Sequence, residues 1–155
     1  MDSELQEIQL ACFQLGDDYY AVDIMRVKEI IRPQKLTALP KAPPFVEGVI
    51  NLRGTVIPVM DLRQRFALPA RSNRQGGKLL IVAAFRCMIG LVVDEVTEVV
   101  TVPAHDIKPP PEMMMGVGAE YLIGVCLVRD SMIMLLNIDK IFSNAEVAAL
   151  GSIGG

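Results

Sequence analysis

Short runs of aliphatic and β-branched residues succeed one another along the chain, each closed by Gly, Pro or Asp. Before residue 138 no stretch sustains a helical period. Ile8–Leu15 and Tyr19–Val22 flank Gly16-Asp17-Asp18 and predict a hairpin. Val27–Ile31 predicts a third strand, stopped by Pro33. Lys35–Phe45 carries Pro40, Pro43 and Pro44, which offer no ladder N–H, so it predicts a rigid loop. Gly48–Leu52 and Thr55–Met60 predict strands on either side of Arg53-Gly54. The polar stretch 69–78 predicts a linker, after which the pattern restarts. Leu79–Phe85, Met88–Val93, Val96–Val102, Tyr121–Val128 and Met132–Leu136 predict strands, with a loop rich in Pro and Met at 103–118. Ser143-x-x-Glu146 reads as a capping box before a C-terminal helix over 144–150, with Gly151 as its stop and 151–155 as a disordered tail.

The pattern also repeats. Placing Gly48 on Gly124, a shift of 76 residues, aligns 48–66 with 124–142 without a gap. Arg53 then meets Arg129, Asp61 meets Asn137, and Phe66 meets Phe142. Upstream, Val27-x-Glu29-Ile30-Ile31 matches Val96-x-Glu98-Val99-Val100 at a shift of 69. Asp61 and Asn137 are both good N-caps, each expected to start a short helical turn that buries the following phenylalanine. The expected architecture is therefore mainly all-β: a lobe over about 8–68, a linker over about 69–78, and a second lobe over about 79–142. Lobes so small bury little surface alone and are expected to lean on each other.

Composition narrows the function. Lys and Arg number 15 against 18 Asp and Glu, a net charge of −3, which argues against a nucleic-acid surface. Aromatics are 5% with no Trp, so a base-stacking or small-ligand barrel lacks its usual platform. No apolar run is long enough to span a bilayer, and the acidic start (Asp2, Glu4, Glu7) is unlike a secretory signal. A cytoplasmic protein without membrane insertion is expected. Cys12, Cys87 and Cys126 are isolated among aliphatic residues and read as small hydrophobes. His105 is the only histidine and sits in a loop, so neither a nucleophile–base pair nor a zinc site assembles. No metal or cofactor is expected. With 52% hydrophobic residues and no catalytic set, the chain reads as an interaction module rather than an enzyme.

The stretch Leu39 to Arg63 (LPKAPPFVEGVINLRGTVIPVMDLR) resembles the signature of the CheW family, the coupling proteins of bacterial chemotaxis. Phe13–Ile31, Gly90–Val100 and Tyr121-Leu122-x-Gly124 extend the resemblance, so that 8–150 reads as a single domain of this type. The resemblance implies two SH3-like five-stranded β-barrel lobes side by side, with short helical turns and a C-terminal helix. It implies a non-enzymatic adaptor between the cytoplasmic tips of chemoreceptors and the regulatory domain of the histidine kinase CheA, recruited to membrane-associated arrays. The same fold serving surface motility, development or second-messenger output is the alternative.

Carried over by position, Ile24, Val27, Ile30, Val96 and Val99 match an apolar groove between the lobes where a receptor helix docks. Glu29 and Arg53 match a salt bridge beside that groove, and Gly48 a position implicated in kinase binding. Ordinary core packing is the competing reading for each apolar position, and a strand opening that admits no Cβ is the competing reading for Gly48. Arg129 and Glu98 echo the ion pair, but Leu127-Val128-Arg129-Asp130 does not repeat the NLRG motif.

Overall fold

A computed structural model describes residues 6–66, 68, 77–84, 86–110 and 119–154. Most of the expected linker and the Met113–Met115 run lie outside them. The described residues form β1 (Glu7–Leu15), β2 (Asp18–Asp23), β3 (Val27–Ile31), β4 (Gly48–Leu52), β5 (Thr55–Asp61) and a one-turn helix α1 (Leu62–Arg65). Then come β6 (Lys78–Ala84), β7 (Cys87–Val93), β8 (Glu95–Pro103), β9 (Leu122–Val128), β10 (Ser131–Leu136) and α2 (Asn144–Gly154). The predicted hairpins are present. Arg53-Gly54 and Arg129-Asp130 both turn with positive φ at two successive residues, the two-residue pattern whose twist matches that of the strands.

The strands assemble as two five-stranded sheets, ordered β8-β1-β2-β10-β9 and β3-β6-β7-β5-β4. This corrects the expected division at residues 69–78. Only the second sheet is continuous in sequence, from β3 to β7. The first combines the opening hairpin with β8–β10, so the continuous lobe is inserted into a discontinuous one. The physical cause lies at Asp23, whose carboxylate accepts from the Met25 N–H at 2.9 Å and caps a 3-10 turn, Ile24–Arg26. That turn carries the chain out of the first sheet after two strands. β2 pairs in parallel with β10, and β7 with β5. Each repeat thus lends its opening hairpin to the other.

Alternation along the strands supplies three apolar layers. Leu10, Cys12, Val100, Cys126 and Leu135 fill the discontinuous lobe, and Ile50, Ile57, Val59, Leu79 and Ile81 fill the continuous one. The intervening positions (Ala11, Phe13, Leu15, Tyr20, Leu80, Val82, Leu91, Leu136) meet in the largest cluster, which joins the lobes. Tyr20 of the discontinuous lobe stacks on Phe66 of the continuous one, ring centroids 5.3 Å apart. Each fully buried Leu, Val or Phe of this layer stabilises the fold by about 1.5–3 kcal/mol.

Both expected N-caps form: Asp61 accepts from the Arg63 N–H at 2.9 Å, and Asn137 from the Asp139 N–H at 3.1 Å. The capping box closes as well, with Ser143 N–H donating to Glu146 Oε1 at 2.9 Å and Ser143 Oγ accepting from the Glu146 N–H at 3.2 Å. Leu150 packs into the inter-lobe cluster with Val147 against it, and Arg65 pairs with Glu146 at 2.7 Å. The helix runs on to Gly154, past the expected stop at Gly151 and through most of the expected tail. A glycine within a helix costs only about 1 kcal/mol and need not end it. No described helix is long and apolar enough to cross a membrane.

Candidate functional site

The inter-lobe seam expected to lie open as a groove is filled along its centre by the protein's own side chains. What remains accessible is its rim, where the two edge strands β3 and β8 run. Cross-strand partners share a face, so register fixes the direction of each rim residue. Ile30 pairs with Leu80 and Val99 with Ala11, and both partners belong to the inter-lobe cluster. Ile30 and Val99 therefore lie on the seam side of their sheets, yet they stay 42% and 53% exposed. Ile24, Val27 and Val96 are partly buried against the same cluster. The five apolar positions thus divide into a supporting row of three and an accessible pair, one on each lobe and equivalent in the repeat.

Glu29 pairs with Ile81 and so belongs to the opposite face of β3. Arg53 reaches it from the β4–β5 turn, donating from Nη1 to Glu29 Oε1 at 3.0 Å and from Nη2 to Oε2. The backbone at Arg53 has φ 51°, a region non-glycine residues seldom occupy, and Asn51 Oδ1 steadies the turn by accepting from the Gly54 N–H at 2.9 Å. Hydrogen bonding from Arg53 outweighs the partial desolvation of Glu29 and holds its carboxyl below the ordinary carboxylate range. The contribution of the pair to stability is therefore present above that range and lost as pH falls through the lowered value. The second repeat builds the same feature: Arg129, with φ 48°, donates to both oxygens of Glu98. Each lobe thus carries a guanidinium, 69% or 70% exposed, at the turn of one hairpin, β4–β5 in the continuous lobe and β9–β10 in the discontinuous one.

Gly48 is buried, and its constraint is steric. A Cβ there would stand 2.9 Å from the Thr37 carbonyl oxygen and 3.1 Å from Leu36 Cβ. That approach lets Thr37 and Val49 exchange backbone hydrogen bonds at 2.9 Å and ties the proline-rich loop to β4. Gly124 repeats the arrangement more tightly: its Cβ would lie 2.4 Å from the Lys108 carbonyl oxygen.

An exposed apolar pair escaped the sequence reading. Leu127 and Met132 are direct cross-strand partners beside the Arg129 turn, 72% and 43% exposed. In the unbroken apolar run LIGVCLV no polar alternation separates outward from inward positions; the equivalent run GVINL does so with Asn51. An open cleft of about 470 Å³ lies between Phe45, Met60, Arg65, Ala145 and Ala149. Burial, with Glu98 adding to it, pushes the Cys12 thiol up to about 11, so it is protonated at neutral pH. His105 lies 3.4 Å from Asp106, both half-exposed. Among the described residues no group of three or more His, Cys, Asp or Glu could hold a metal ion.

Duplicated SH3-like lobes around a shared apolar layer, with paired guanidinium-tipped hairpins, define a surface for binding other macromolecules. The CheW-like domain profile matches residues 9–146, and the chain belongs to that family. It is 36% identical over 152 residues to "Chemotaxis protein CheW" of Treponema pallidum, covering 96% of this chain and 89% of that one. It is 32% identical to "Protein FrzA" of Myxococcus xanthus, covering 93% and 91%. Among solved structures, the scaffolding protein TtCheW from Thermoanaerobacter tengcongensis superposes with a TM-score of 0.80 at 32% identity, covering 89% of each chain.

Proposed function

We propose that this chain is a non-enzymatic adaptor that couples chemoreceptor signalling tips to the regulatory domain of the histidine kinase CheA, so that receptor state controls kinase activity. The observation that carries the reading is the rim of the seam. Two exposed aliphatic side chains, Ile30 and Val99, stand on the seam side of the edge strands β3 and β8, and Ile24, Val27 and Val96 are partly buried against the same inter-lobe cluster. An amphipathic receptor helix laid along such a rim gains affinity by apolar burial. The Arg53–Glu29 pair then sits at the margin of the contact, where a charge adds orientation more than affinity. Gly48 acts on the kinase side indirectly, by fixing the path of the β4 edge that the kinase domain meets. Recruitment to receptor arrays follows from these contacts.

Ile30 and Val99 are the informative positions to test. Val27→Asp would place a carboxylate against the shared core and confound binding with folding. Ile30→Asp and Val99→Asp change accessible positions. Each is expected to weaken binding to a receptor signalling-domain fragment by about tenfold, a loss of about 1.4 kcal/mol, with an unchanged circular dichroism spectrum. Wild-type affinity in both variants would move the receptor interface elsewhere. A second reading keeps the coupling mechanics and changes the circuit to surface motility, development or second-messenger output. The likeness to FrzA, a relative not named for chemotaxis, favours keeping it. Capture of the cognate kinase from cell extract decides between them.

A further inference from the structure

The loop that leads into β4 has little backbone with which to tie itself down. Pro40, Pro43 and Pro44 offer no N–H, and the bonds the loop makes within itself are local turns. Ala42 N–H donates to the Leu39 carbonyl at 3.2 Å, and Val46 N–H to the Pro43 carbonyl at 3.0 Å. The next fixed point is Glu47, whose N–H donates to the Val59 carbonyl at 2.8 Å.

A side chain supplies the missing anchor. The Phe45 ring tilts against that of Phe142, centroids 5.6 Å apart, and the Arg65 guanidinium lies over both rings, at 5.7 and 6.0 Å. Arg65 also donates from Nη2 to Glu146 Oε2 at 2.7 Å, and it is only 17% exposed. One residue of α1 therefore touches the loop before β4, the segment after β10 and the first turn of α2. Pro43–Phe45 and the α2 residues Ala145 and Ala149 line the same open cleft, and Arg65, which also lines it, reaches both sides. A planar guanidinium can cover aromatic rings while it holds a carboxylate; a lysine ammonium keeps the charge and loses the plane.

Resting on the adaptor reading, we propose that Arg65 is a positioning residue for the kinase contact. It holds Phe45 and so, through Val46 and Glu47, sets the course on which β4 begins at Gly48. Strands β3 and β4 are opposite edges of one sheet, so this restraint acts on the β4 edge and leaves the receptor rim at Ile30 alone.

R65K in the full chain separates the two edges. Its affinity for the kinase regulatory domain is expected to fall by about three- to tenfold, with affinity for a receptor signalling-domain fragment unchanged. Exchange of the Val46 and Glu47 amides is expected to rise by about two- to fivefold. Exchange at Val147 in α2 should stay as in the wild-type chain, because lysine retains the pair with Glu146. F45L, which removes the ring under the guanidinium, is expected to reproduce the kinase loss, and the double variant to add little to it. Wild-type kinase affinity in R65K, an equal loss of receptor and kinase affinity, or additive losses in the double variant would each overturn the proposal alone. Absence of kinase binding by the wild-type chain would instead overturn the adaptor reading, and this proposal with it.

Discussion

Arg53→Asp is expected to cut receptor-dependent kinase activation by about tenfold or more while leaving the fold intact. The substitution puts a second carboxylate beside Glu29, converting a hydrogen-bonded ion pair into two like charges at the margin of the proposed receptor contact. Folding should tolerate it, because φ at this position is 51° and Asp occupies that region more readily than Arg. The pair is solvent-exposed, so little stability is lost with it. The measurement is kinase activity in vesicles carrying receptor fragments, with thermal unfolding run in parallel. Wild-type activation by a folded Arg53→Asp variant would remove this residue from the interface.

Phe13→Ala is expected to destabilise the protein by about 3–5 kcal/mol and lower its unfolding midpoint by about 10 °C. Phe13 is fully buried in the layer between the lobes, with its ring centroid 6.0 Å from that of Tyr20. Truncation leaves a cavity lined by both sheets. Were the seam an open groove awaiting a partner helix, the loss would be small, and binding of the receptor fragment would restore it. A midpoint within about 2 °C of wild type would show that the seam is not the core described here. Calorimetry or dichroism-detected melting gives the answer.

These contrasting outcomes explain what the amino-acid pattern revealed and what it hid. Strand positions were legible because each apolar run ends at a residue that cannot continue it, such as Gly16, Pro33 or Gly54. The ion pair Arg53–Glu29 came through the family resemblance, and its echo Arg129–Glu98 through the repeat. Pairing between distant strands was not legible. The matching of 48–66 with 124–142 identifies two copies, but nothing in either copy records that β2 leaves its own repeat to lie beside β10. The turn at Asp23 decides this, and three polar or aliphatic residues in a row give no warning of it. For the same reason the pattern does not show that the seam is filled: Ala11, Phe13, Leu80 and Val82 alternate with Leu10, Cys12, Leu79 and Ile81, and a strand apolar on both faces does not say which face meets the other lobe. The ion pairs Arg26–Asp139 and Arg63–Asp94 were not legible because their partners lie 113 and 31 residues apart in the chain.

The central claim, that one small chain holds receptor and kinase together through separate surfaces, is tested most directly by co-sedimentation. The chain is mixed with the kinase and with vesicles bearing receptor fragments, in pairs and then all three. The account predicts that it pellets with receptor vesicles alone, binds kinase in their absence, and raises the kinase recovered with the vesicles when all are present. Kinase recovery unchanged by its addition would contradict the account.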